Sequence, residues 1–305
     1  MTTSKTLHKH LNIKTVVRLA MYVLLLDLVF VFVYPFLHML VTSLKTPQDL
    51  RDISVKWLLN ALHTDNYRLA LKALDYGRRL LNTSFVTALA LIGHVLSCSF
   101  VGYGFARFDF RGKKFFFGAL MLSMIVPVQT LIIPVHMVFT RLGIQNGYLP
   151  IIAPSFFGFG LRGALFIFLF RQFFLSLPKS LEEAAQIDGC GAIKTFFKIA
   201  FPTAQPSVLV CIVLGMVWHW NEFFEASIYI KSQKEYLLSM MMPTIYNLTK
   251  STDNAAAAAA GAADIYNEAT VMAATALVIL PVFVVYMFLQ RRFMQGIETS
   301  GITGE

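Results

Sequence analysis

The chain has 305 residues, of which 56% are hydrophobic and 14% charged, whereas soluble domains carry roughly 45–50% apolar and about 25% charged residues. That balance excludes an ordinary water-soluble protein and makes lipid the expected solvent for much of the chain. The formal net charge of +9 raises nucleic acid as a partner, but the basic residues flank apolar runs. Lys5, Lys9, Lys14 and Arg18 precede the first run, Arg107, Arg111, Lys113 and Lys114 follow the second, and Arg291 and Arg292 follow the last. The positive-inside rule accounts for that distribution without nucleic acid.

A hydrocarbon core of about 30 Å takes roughly 20 apolar residues per helix. Six runs of this kind occur, over residues 19–41, 82–106, 115–139, 150–170, 206–224 and 270–289, and they predict an all-α, multi-pass membrane protein. The first run lacks an A-x-A cleavage site and reads as a retained span. With the N-terminus placed inside the cell, the basic loop 107–114, the segment 171–205 and the C-terminus also fall inside. Residues 43–81 and 225–268 become long outer loops, the latter net acidic. Residues 1–18 and 294–305 form inner terminal segments around one membrane domain, 19–293. Pro35, Pro127, Pro134 and Pro281 are expected to bend or end membrane helices, because neighbouring helices re-satisfy the freed backbone groups. The alanine run 255–263, interrupted by Gly261, is expected to be an exposed outer linker.

Within the predicted inner segment 171–205 the pattern turns polar and helical. Ser180 followed by Glu183 has the spacing of a capping box. Ala184 and Ala185 keep that helix slim, Gly189 permits a left-handed turn, and Pro202 is expected to stop a second helix. Along the second helix Ala192, Phe196 and Ile199 recur at helical spacing, thickened by Phe197 and Phe201, as a stripe that rests on the membrane bundle. A slim exposed helix of this kind suits insertion into a groove on another protein. An ordinary amphipathic loop between two spans fits the same residues equally well.

Glu183-Ala184-Ala185, then Asp188-Gly189, then Ile199 and Pro202 resembles the EAA signature of permease subunits in binding-protein-dependent ATP-binding cassette importers. Phe201 stands where that pattern usually has leucine. Residues 127–134, Leu142-Gly143, Trp220-Asn221-Glu222-Phe223 and 280–293 are similar to stretches of the MalG-type carbohydrate-uptake branch. The resemblance implies a type I importer permease fold in the plasma membrane, with a coupling loop at 175–205 whose Glu183, Ala184, Ala185, Asp188, Gly189, Ile199 and Pro202 dock on an ATPase. It further implies a second homologous permease, an ATPase dimer and an extracytoplasmic solute-binding protein as partners. ATP and Mg would be used by the ATPase, and this chain would bind no cofactor itself. A sugar or oligosaccharide is the implied cargo; amino acid, phosphate or polyamine systems share the EAA core. Consistently, no G-x-x-x-x-G-K-[ST] phosphate loop occurs in the chain.

Ionisable residues inside spans are functional candidates by default. Asp27, Arg162 and Glu222 are the three in or beside the runs, and Pro127, Gln129, Trp220, Asn221 and Glu222 form a candidate gate or translocation path. Arg162 is expected to snorkel or to pair with an acid, and Trp218, Trp220 and Phe224 to join the interfacial aromatic belt. His94, His136 and His219 are scattered without metal spacing and read as structural, and Cys98, Cys190 and Cys211 as isolated thiols. A membrane enzyme would need paired acids at one membrane face. Glu182 and Glu183 are adjacent and splay apart on a helix, so they do not serve. A secondary transporter would need a series of buried acids, which Asp27 alone does not supply.

Overall fold

The computed structural model describes residues 13–52, 57, 60–159, 162–251, 255–256, 259 and 266–301. Lys5, Lys9, most of the alanine run and the last four residues of the tail lie outside them. Among the described residues the regular structure is helical throughout.

The chain opens with α1 (Ile13–Ser43), followed by short α2 (Pro47–Arg51), then α3 (Asp65–Leu74) and α4 (Tyr76–Arg107). Next come α5 (Lys113–Ser123), α6 (Val128–Arg141), α7 (Leu149–Ile152), a tight turn over Ala153–Phe157, and α8 (Gly163–Ser176). The predicted inner segment holds α9 (Ser180–Ile187), α10 (Ala192–Thr195), a wide π turn over Phe196–Ala200, and α11 (Phe201–Thr203). The chain then runs through α12 (Gln205–Trp220), α13 (Phe224–Tyr229), α14 (Leu238–Thr249) and α15 (Glu268–Gly301).

Three of these helices, α1, α4 and α15, are individually long and apolar enough to cross a membrane, and three bent pairs raise the total to as many as six. Two predicted spans are broken. The run 115–139 divides at Pro127, with α5 and α6 at 107° to one another. Proline has no N–H to continue the ladder and excludes α geometry from the residue before it. Pro134, by contrast, sits inside α6. The run 150–170 divides into α7, the tight turn and α8, because Gly158 and Arg162 both adopt left-handed backbone, at φ 68° and 63°. As a result α8 carries Arg171 within it, and the polar segment begins only after Ser176.

The two segments expected to be long outer loops are also more structured than their composition suggests. The described residues between α1 and Leu81 form α2, α3 and the start of α4. Thr46 and Asp49 form a true capping box at α2, and Asn66 donates to the Ser43 and Lys45 carbonyls at 2.9 Å each. Residues 225–250 form α13 and α14, whose Tyr229, Leu238 and Ile245 are buried.

In lipid the solvent is as apolar as the side chains, so close packing rather than dehydration holds the helices together. The central contact joins α4 to α8, where a Cβ at Gly102 would lie 2.8 Å from the Phe170 Cβ. Phe166, Phe170, Phe174, Cys98 and Cys211 fill the space around it. A second cluster packs Ala70 and Leu74 of α3 with Trp220, Ile245 and Ala273. A third joins Val86 to Ile151, Tyr229 and Leu237. By contrast α1 is exposed along its apolar length, Asp27 included.

Candidate functional site

Two regions carry the predicted site residues. The first is the segment α9 to α11. Its opening helix begins earlier than a capping box at Ser180 requires. Lys179 is the boundary residue, its carbonyl accepts from the amides of both Glu182 and Glu183 at 3.0 Å, and no side chain caps the end. Ser180 is already inside the helix and therefore has no capping role. Gly189 does take the left-handed turn, at φ 75°, with open space around it.

Glu183, Ala184, Asp188 and Gly189 are exposed, whereas Ala185 is 3% exposed and turns inward. Ala185 therefore supports the helix from behind and is not part of its outer face. Behind it Phe196 and Ala200 are buried and Ile199 half-buried, while Phe197 and Ala192 remain exposed, so only part of the predicted stripe rests on the bundle. Pro202 is exposed and does not stop the helix. The preceding wide π turn accommodates its missing N–H, and the chain turns at Ala204 instead, 72° from the axis of the next helix.

What fastens this segment is a contact absent from the sequence reading. Arg107, the last residue of α4, places Nε 2.7 Å from Glu182 Oε1, and the two side chains are 6% and 14% exposed. Its Nη2 also donates to the Leu177 carbonyl at 2.8 Å. Tyr103, one turn earlier, reaches Glu182 as well and packs its ring on Phe174 and Phe196 at 5.3 and 5.2 Å. The i, i+4 spacing of Tyr103 and Arg107 was the available signal. Arg107 instead reads as one more positive-inside charge when its partner is unknown.

The second region is a cavity of about 450 Å³ formed where the two broken spans open. Pro127, Gln129 and Glu222 of the predicted path line it, joined by Arg162, Glu225 and Tyr229. The Glu225 amide donates to Glu222 Oε1 at 2.8 Å. Burial, with Glu222 close by, pushes the Glu225 carboxyl up to about 7. The Arg162 guanidinium lies over the Trp218 ring, 5.0 Å from its centroid, so it neither snorkels nor forms the expected pair.

Trp220 and Asn221 do not line the cavity. Trp220 is 6% exposed in the second core cluster and donates to the Val278 carbonyl at 2.9 Å, so it belongs neither to the path nor to the belt. Asn221 bonds back to the Val217 carbonyl at the end of α12. Behind the cavity, two histidines 125 residues apart are in direct contact: His219 Nε2 lies 3.2 Å from His94 Nδ1. Among the described residues no cluster of three or more metal-ligating side chains occurs.

Broken membrane spans around a central cavity, together with a polar helical segment anchored to one end of the bundle, define a solute-translocating membrane subunit. Residues 98–299 match the model of the binding-protein-dependent transport system inner membrane component family, and the chain belongs to that family. It is 27% identical to the arabinooligosaccharides transport system permease protein AraQ of Halalkalibacterium halodurans, over 90% of this chain and 92% of that protein. It is 29% identical to the melibiose/raffinose/stachyose import permease protein MelC of Bacillus subtilis, over 88% and 91%. It is 30% identical to the sn-glycerol-3-phosphate transport system permease protein UgpE of Pectobacterium atrosepticum, over 74% of each chain. Its fold is similar to a chain in the crystal structure of a bacterial transporter that imports the acidic polysaccharide alginate. The TM-score there is 0.79 at 22% identity, covering 96% of this chain and all of that one. The chain is therefore a transport subunit of the membrane and not an enzyme.

Proposed function

We propose that this chain is one of two permease subunits in an ATP-driven importer of sugars or oligosaccharides. Its partners are a second, homologous permease, an ATPase dimer that uses ATP and Mg, and an extracytoplasmic binding protein that delivers the solute. The observation that carries this reading is the outward face Glu183, Ala184, Asp188 and Gly189, presented on a helix anchored from behind by Ala185, Phe196 and Arg107. Such a helix suits a cleft on an ATPase, with Ile199 and Pro202 shaping the chain behind it. The coupling loop is residues 175–205, and the membrane domain runs from 19 to 293 between inner terminal segments 1–18 and 294–305.

Closure of the ATPase pair on ATP would draw two such helices together and rock the membrane halves from inward-facing to outward-facing. The cavity lined by Pro127, Gln129, Arg162, Glu222 and Glu225 is this chain's half of the path, at a size within the roughly 300–1,000 Å³ of small-molecule sites. The relatives named for arabinooligosaccharides and for melibiose, raffinose and stachyose support a carbohydrate cargo.

The test replaces Gly189→Trp and Glu183→Lys in the assembled transporter. Each should leave the chain in the membrane while reducing co-purification of the ATPase and solute uptake. Wild-type values for both measurements would sink the docking assignment. A calorimetric screen of the cognate binding protein against oligosaccharides and sn-glycerol 3-phosphate decides the cargo, and binding of the phosphate ester alone would overturn the sugar reading.

A further inference from the structure

Of the three long helices, α1 contains Pro35 and α15 contains Pro281, whereas α4 runs for 32 residues without a proline. At a rise of about 1.5 Å per residue it is a continuous rod of roughly 48 Å. Each end is tied to a neighbouring non-spanning segment by polar contacts. At its C-terminal end Arg107 holds the Glu182 carboxylate and the Leu177 carbonyl, which bracket the start of α9. At its N-terminal end Arg79 donates to the Gln233 carbonyl. Asn82 Nδ2 donates to the Lys234 and Tyr236 carbonyls at 3.0 and 3.2 Å, and the Leu238 amide donates to Thr83 Oγ1 at 2.9 Å. The turn 233–238 so held leads directly into α14.

Among the described residues the Arg107–Glu182 contact is the one ion pair between α9 and a spanning helix. Both side chains are largely shielded from solvent, where a charge pair is screened little and losing one partner leaves the other uncompensated. The Nη2 bond to the Leu177 carbonyl fixes the guanidinium, whose Nε then stands against the Glu182 carboxylate as an ion pair. A push on α9 would therefore reach α4, which carries no proline, and through it the turn 233–238.

We propose that Arg107 and Glu182 are positioning residues that join the docking helix to α4, and that α4 transmits its displacement to the turn 233–238 through Arg79, Asn82 and Thr83. This rests on the docking reading above, with Glu182 serving as the inward anchor of a helix whose Glu183 faces outward.

The experiment is hydrogen exchange of the assembled transporter in lipid nanodiscs, with ATP plus vanadate as the probe. Wild type, Arg107→Glu, Glu182→Arg, the double exchange, and the near-isosteric Glu182→Gln are compared. In wild type the amides of 180–188 are protected by the ATPase. ATP–vanadate changes exchange at 233–238 by about fivefold or more, the low end of ordinary coupling between sites. In the single variants the protection of 180–188 persists while the response at 233–238 disappears, and the double exchange restores it.

If 233–238 responds equally in the single variants, or does not respond in wild type, the transmission proposal is overturned. If the single variants lose protection at 180–188, the pair only shapes the docking face, which also overturns it. Failure of the ATPase to protect 180–188 in wild type removes the docking reading itself, and this proposal with it. Glu182→Gln decides the question where a charge reversal prevents folding.

Discussion

His94 and His219 form a buried hydrogen-bonded pair, Nδ1 to Nε2 at 3.2 Å, that ties α4 to α12. His94 Nε2 lies 3.3 Å from the Phe159 carbonyl in the break before α8. A carbonyl only accepts, so His94 Nε2 carries its proton, His94 Nδ1 accepts, and His219 Nε2 donates. The chain of bonds satisfies a backbone group that the broken span frees inside the membrane, where unsatisfied groups are costly. It also holds in place the stretch that brings Gly158, Phe159 and Arg162 to the cavity.

Replacing His219 with Phe should leave His94 Nδ1 without its donor and lower stability by about 1–3 kcal/mol. His94→Phe should cost a similar amount by orphaning the Phe159 carbonyl. The double variant should cost less than the sum, because the two residues act as one unit. Thermal unfolding in detergent micelles checks this, and strict additivity would refute the coupled pair.

Ala184 and Ala185 should respond oppositely to the same substitution. Ala185 is 3% exposed and backed by the bundle, so Ala185→Leu should overpack and destabilise the isolated chain by about 1–3 kcal/mol. Ala184 is exposed, so Ala184→Leu should leave the melting temperature unchanged while weakening co-purification of the ATPase.

Trp220 should behave as a core residue. Trp220→Ala should destabilise by about 3–5 kcal/mol, and Trp220→Phe by a smaller amount, since the ring volume is partly kept and only the bond to the Val278 carbonyl is lost. A variant with wild-type stability and altered transport would instead return Trp220 to the translocation path.

Glu225 should make stability depend on pH. Burial and the neighbouring Glu222 raise its carboxyl to about 7 from an ordinary value of 4.5. The folded protein therefore holds this proton more tightly than the unfolded chain does. The contribution is full below about 4.5 and is lost as pH rises through about 7. Melting temperatures measured from pH 5 to 8.5 should fall more in wild type than in Glu225→Gln, which cannot ionise. Parallel curves would show that Glu225 is not the group responsible.

Much of the architecture was legible because lipid imposes simple arithmetic. Runs of apolar residues of span length marked α1, α4, α12 and α15 closely, and Pro127 marked the break between α5 and α6. The helix Ser180–Ile187 and its left-handed turn at Gly189 were legible for a different reason, since local spacing specifies both; the docking role expected of them came from the family resemblance. Local rules failed where a neighbour competed. Ser180 and Glu183 have the spacing of a capping box, but the turn begun by Pro178 and Lys179 supplies the first helical carbonyls instead. The left-handed backbone at Gly158 and Arg162 has no signature in the composition, because an apolar run looks the same whether it is straight or interrupted.

By itself the sequence determined the solvent, the helical class, the main spans and the short exposed helix Ser180–Ile187, since hydrophobic length and backbone preference act within a few turns of chain. The tertiary structure alone decided that Glu182 faces inward to Arg107, that His94 meets His219, that Trp220 is core, and that Glu222, Glu225 and Arg162 share one cavity. These depend on which helix faces join: Arg107 with Glu182, or His94 with His219 across 125 residues, have no local pattern to announce them.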